Sequence, residues 1–97
     1  MLPFTKTFAH TEEYILDRLY KRTPLTVTPI CTGVQTLTVY VTTTETVDAS
    51  SNWVLVGAVL SGWASGVASA GCDPLGIYSP ITGLKFVANG TPAVEVA

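Results

Sequence analysis

The side chains of this sequence that could do chemistry are few and far apart. Nucleophilic catalysis needs a base held against the nucleophile, and the single histidine, His10, lies near the N-terminus, where chains are often loosely held. No serine or cysteine triad is therefore expected. The adjacent carboxylates Glu12 and Glu13 would point apart on a strand and sit about 100° apart on a helix, so neither geometry makes an acid–base pair of them. The stretch GVASAGCDPLG, residues 66–76, has the small residues of a phosphate loop but neither its lysine nor a following helix. Asp73 within it reads as a turn former. Cys31 and Cys72 could pair, yet the opening MLPFTKTFAHTEE has no apolar run of the length a secretory signal needs, so two thiols in a reducing cytosol are expected. Without a Cys-x-x-Cys or a Cys/His cluster, neither a metal site nor a cofactor is expected. Asn89-Gly90-Thr91 matches a glycosylation sequon, and without a signal the tight-turn reading is preferred. The expectation is a protein that is not an enzyme.

Aromatic side chains remain as candidate contacts. Trp53 opens an apolar strand and is expected in the core. Trp63, among Gly, Ala and Ser, is free to meet a partner, and Tyr78 could join it as a second stacking platform. Arg18, Lys21 and Arg22 form one small basic spot, expected to be a solvated face and retained as a candidate partner contact.

What must position these groups is mostly sheet. The uncharged stretch WVLVGAVLSGWASGVASAGC, residues 53–72, has about the length of a membrane-spanning helix. Its six strongly apolar residues supply only about −2 to −4 kcal/mol of insertion energy. Four glycines and three serines dilute it, and no Lys or Arg flanks it. A membrane is therefore not expected, and the stretch divides into a strand, NWVLVGAVLSG, and a small-residue loop, WASGVASAGCDPLG.

The same reading elsewhere finds β-rich runs between turn signals. In VQTLTVYVTTT, residues 34–44, Leu37, Val39 and Val41 alternate with Thr36, Thr38, Tyr40 and Thr42. PLTVTPIC, residues 24–31, carries two prolines that restrict it to an edge strand or a strand end. GLKFVANGTPAVEVA, residues 83–97, reads as a terminal hairpin turning at Asn89-Gly90. TEEYILDRLYKR, residues 11–22, has a Thr cap, early acids and late bases, so local rules favour a helix there, although a first strand is the other reading. The expected fold is all-β, a small jelly-roll-like β-sandwich or barrel: residues 1–22 form an N-terminal arm, first strand or short helix, and 23–97 the sandwich domain.

Composition bounds the partners. Charged residues are 12 % of the chain, against about 25 % in an average soluble domain. Nine of the twelve lie in residues 1–48, leaving Asp73, Lys85 and Glu95 for the rest. A half this poor in charge is expected to be shielded by other protein. The net charge of −2 argues against nucleic acid, whose phosphates need a basic stripe.

Taken together, TLTVYVTTTETVDASSNWVLVGAV and SPITGLKFVANGTPAVEVA, within about residues 36–97, resemble small structural proteins of tailed bacteriophage particles. In those, a Thr/Val-rich strand, a polar loop, an Asn-Trp pair entering the next strand and a closing P-x-T-G-L-K-F segment recur. The resemblance implies a non-enzymatic virion component assembled in the host cytoplasm. A capsid decoration or cementing protein comes first, and a connector, tail or fibre-base protein second. The implied partners are further copies of the chain, in a homo-oligomer, and other capsid or tail proteins. The rival expectation is a carbohydrate-binding β-sandwich module using Trp63 and Tyr78.

Overall fold

Alternation of apolar and polar side chains is the pattern that builds this molecule, because every other residue of a strand faces the same way. A computed structural model describes residues 3–17, 19, 24–56, 67–78 and 80–97. Its described residues form strands β1 (Phe4–Thr7), β2 (Glu13–Leu16), β3 (Leu25–Ile30), β4 (Thr36–Thr42), β5 (Val54–Leu55), β6 (Val67–Ala68), β7 (Leu75–Ile77), β8 (Gly83–Asn89) and β9 (Ala93–Val96). All pairings are antiparallel. The first sheet runs β1-β9-β3-β7 and the second β2-β8-β4-β5, with β6 pairing β4 beyond β5.

With β5 and β6 taken as two halves of one interrupted edge, this is jelly-roll order: the chain passes between the sheets, and its late strands β8 and β9 return beside β2 and β1. The two sheets stay separate, so the molecule is a sandwich and not a closed barrel. Residues 4–16, within the 1–22 segment, supply the first strand of each sheet.

One core fills the space between the sheets. Val27, Leu75, Val94 and Val96 of the first meet Leu16, Leu37, Val39, Leu84 and Phe86 of the second, with Phe8, Leu19 and Ile81 closing in from the connections. Phe86, fully buried, sits in the register row Tyr14–Phe86–Val39 at the middle of the second sheet.

Several local expectations are overturned. The helix favoured by capping rules within residues 11–22 is strand β2 where the chain is described. A strand turns Tyr14 and Leu16 to the core together, with Tyr14 stacked on Phe4 of the opposite sheet at 5.5 Å between centroids. Pairing with β8 outweighs a weak helical preference.

The terminal hairpin does not form: β8 and β9 belong to different sheets. Each carries its own inward stripe, Leu84, Phe86 and Ala88 on one and Val94 and Val96 on the other, and the two stripes satisfy each other by facing across the core. Asn89-Gly90 still turns the chain, with Gly90 at φ 89°, but as a corner. Its N–H donates to Thr11 Oγ1 at 3.0 Å, and the Pro92 carbonyl accepts from Phe8 N–H.

The strand at 25–30, whose prolines restrict it to an edge or a strand end, lies between β9 and β7 with its prolines at its ends, Pro24 before its first residue and Pro29 next to its last. The rule still holds locally, since β7 pairs only Leu25, Thr26 and Val27 and Pro29 lies beyond its end. Within WASGVASAGCDPLG, read as loop, Val67–Ala68 is a strand on β4.

Threonine hydroxyls, abundant in the sequence, anchor the connection after β4. Thr82 Oγ1 donates to the carbonyls of Thr42 (3.2 Å) and Thr44 (2.7 Å), and Thr44 Oγ1 donates to that of Thr46 (2.8 Å).

Candidate functional site

The outward side chains can be read directly from the register. On the second sheet they form four rows across the strands, Ile15–Lys85–Tyr40–Leu55 and Glu13–Val87–Thr38–Val67 at the centre, flanked by Thr36–Asn89 and Thr42–Gly83. On the first sheet the corresponding rows are Thr5–Glu95–Thr28 and Thr7–Ala93–Ile30, with Thr26 beside Gly76. The two faces differ in kind. Threonine dominates the first, whereas aliphatic and aromatic groups dominate the centre of the second.

The centre of the apolar face is a lysine between two rings. Lys85 Nζ lies 4.7 Å from the Tyr40 ring centroid and 5.4 Å from that of Trp53, within the range in which a ring quadrupole attracts a cation. Trp53 is thus half-buried on the outer surface and absent from the core expected for it. The loop before it explains the placement. Asp48 Oδ1 accepts from Ser50 N–H (2.9 Å) and Ser50 Oγ (2.7 Å), Ser51 Oγ donates to the Thr46 carbonyl, and the turn so formed offers the Asp48 carbonyl to Trp53 Nε1–H at 3.0 Å. These hydrogen bonds from Ser50 hold the Asp48 carboxyl below its ordinary pKa. In the same loop Val47 packs directly over Gly83, at the end of β8, where a Cβ would collide with it.

The edges of the sheets repeat the contrast. On β1, Lys6 faces inward in the row Lys6–Val94–Pro29, its ammonium over the rings of Phe8 and Tyr14 and 3.8 Å from Glu12. An inward-pointing charge on an edge strand discourages pairing with another chain. At β5 the edge presents Val54, 55 % exposed, and Leu55, 40 % exposed, with no charge on the strand.

Of the sequence-predicted contact residues only Tyr78 is among the described residues, and it is not on this face. Tyr78 is 79 % exposed, and its ring lies over Gly76 on the outside of the first sheet. Trp63, Arg18, Lys21 and Arg22 lie outside the described residues. Glu12 is taken by Lys6, Glu13 points outward from β2, and the exposed His10 ring lies 3.2 Å from the Thr11 carbonyl oxygen. Among the described residues no three His, Cys, Asp or Glu side chains gather as metal ligands, and no helix is long and apolar enough to cross a membrane. Tyr40 and Lys85 were each visible as polar-side residues of alternating strands, and Leu55 only as part of an apolar strand. What the sequence lacked was the register that sets them in one row.

Fold and surface together define an all-β jelly-roll sandwich whose first outer face is rich in threonine and whose second carries an apolar and aromatic row around Lys85. No protein-family model, curated protein or solved structure matches the chain.

Proposed function

We propose that this chain is a non-enzymatic structural protein that assembles with further copies of itself through the outer face of its second sheet and the β5 edge. The observation that carries the reading is the row Ile15–Lys85–Tyr40–Leu55, apolar and aromatic where a solvated sheet face would be polar. An edge strand without charge beside it supplies the natural border of such a contact.

The setting we propose is the particle of a tailed phage. The resemblance of residues 36–97 to small virion proteins supports it, as does the jelly roll, an architecture frequent in viral capsid domains. A decoration or cementing protein is preferred over a connector, tail or fibre-base protein, because one broad face on a compact sandwich suits repeated lateral contacts. Fold alone does not decide function, and jelly rolls also serve as lectin domains. The exposed Tyr78 ring keeps glycan binding as the second reading.

Sedimentation equilibrium of the full chain separates the two. Self-association abolished by Leu55→Asp and unaffected by Tyr78→Ala supports assembly. A monomer that binds a glycan array, and loses that binding in Tyr78→Ala, supports the lectin reading and removes the first.

A further inference from the structure

The two cysteines, far apart in sequence, come together where the sheets exchange strands. Cys31 follows the last residue of β3 in the first sheet. Cys72 closes the turn Ser69–Cys72 between β6 of the second sheet and β7 of the first; its N–H donates to the Ser69 carbonyl at 3.2 Å, and Gly71 at φ 83° bends the chain. Both side chains pack against the core from half-buried positions. Their sulfurs address a single peptide unit. The Cys31 thiol points to the Ala68 carbonyl oxygen at 3.9 Å, and Cys72 Sγ accepts the N–H of the next residue, Ser69, at 2.9 Å.

We propose that Cys31 and Cys72 are a redox pair, oxidised by a low-molecular-weight disulfide to an intramolecular bond that clamps the end of β3 to the β6–β7 turn. Burial, and then the charge of the neighbouring Cys72, push the Cys31 thiol up, so both groups sense one local environment. The thiolate is the attacking species; Cys72, on the turn with the exposed Ser69, Ala70 and Gly71, is assigned the first exchange, and Cys31, its pKa held up by burial, the resolving step. The Cys72 thiolate attacks one sulfur of the external disulfide, whose S–S bond breaks and releases one thiol carrying the proton Cys72 gave up. The Cys31 thiolate then attacks the Cys72 sulfur of the mixed disulfide and expels the second thiol. Two protein thiols lose two electrons and two protons, and the external disulfide gains both. Ala70 and Gly71, small and exposed, leave the turn room to bring the sulfurs to bonding distance.

The bond would close the loop from residue 31 to residue 72, which contains β4, β5 and β6. Closing a long loop restricts the unfolded chain, so oxidation should raise Tm by on the order of 10 °C. In the virion reading this clamp would set when the protein leaves a reducing cytoplasm, but the chemistry holds for a monomer equally.

The test is incubation of the full chain with oxidised glutathione, followed by intact mass, peptide mapping and thermal melting. The expected product has lost the mass of its two thiol hydrogens, carries no glutathionyl group and yields a Cys31–Cys72 cross-linked peptide. It melts higher, and dithiothreitol reverses both changes. Cys31→Ser should stop at a Cys72 glutathione adduct with no rise in Tm. A wild-type chain that stops at mixed disulfides, links to a second copy, or keeps both thiols through the incubation overturns the proposal. Self-association measured on the same oxidised and reduced samples reports on the assembly reading separately.

Discussion

The two outer faces of this sandwich are built from the same alternating strands around the same core, yet they meet water differently. The first presents Thr5, Thr7, Thr26 and Thr28 with Glu95, and Ile30 and Tyr78 towards its margins; the second presents Ile15, Tyr40, Leu55, Val67 and Val87 around Lys85, with Glu13 and Thr38 in the neighbouring row. One edge of each repeats that difference, Lys6 guarding β1 and nothing charged standing on β5, whereas the opposite edges reverse it, β7 being uncharged and β2 carrying Glu13. A fold needs only its inward residues to be apolar. Whatever else is apolar is available for contacts outside the chain, and among the described residues the second sheet sets Ile15, Tyr40 and Leu55 in one row, whereas Ile30 and Tyr78 stand apart on the first.

The largest effect should come from the core that both faces share. Phe86→Ala removes the central side chain of the second sheet and should cost about 3–5 kcal/mol, read as a shift in the urea midpoint, with both faces lost together. The contrast itself is tested by matched charges. Leu55→Asp should weaken self-association by on the order of 10- to 100-fold, because it puts a charge into the proposed contact where the row meets the β5 edge. Thr28→Asp on the other face should leave it within about twofold, because isolated surface changes have small effects. Equal losses from the two substitutions would remove the distinction between the faces.

Smaller effects sharpen the picture. Gly90→Ala puts a side chain on left-handed backbone, with its Cβ 3.2 Å from Gln35 Cγ, and should destabilise by about 1–2 kcal/mol, visible in thermal melts. Lys85→Met keeps the aliphatic stem but gives up the cation between Tyr40 and Trp53, a change of about 0.5–1 kcal/mol that Trp53 fluorescence should follow.

The smallest effect is that of acid. Because Ser50 holds the Asp48 carboxyl below its ordinary value, the unfolded chain binds that proton more tightly than the folded one. The stabilisation is complete above the ordinary aspartate range and is lost as pH falls through the lowered value. The carboxyl carbon of Asp48 should titrate below that of a free aspartate by NMR, and Ser50→Ala should return it towards the ordinary range.

Much of this was legible in the chain. The β4 alternation, the turn at Asn89-Gly90 and the sandwich class follow from period and turn chemistry, which are local. Two of the misreadings were non-local, and the third lay in the side-chain hydrogen bonds of one turn. Residues 13–16 look helical until β8 offers them a partner. The 83–97 segment looks like a hairpin until two inward stripes must face across a core. Trp53 looks like core until the Asp48 turn fixes its indole outside. The apolar face was invisible for the first of these reasons: Ile15, Lys85, Tyr40 and Leu55 stand in one row only through pairings that no short window contains.

Sedimentation equilibrium of the unmodified chain across micromolar concentrations is the most direct check on the central claim. The account requires a mass that rises with concentration to a defined oligomer and falls back to the monomer in Leu55→Asp. A wild-type chain that stays monomeric at the highest concentration, or a Leu55→Asp variant that assembles as the parent does, would contradict it.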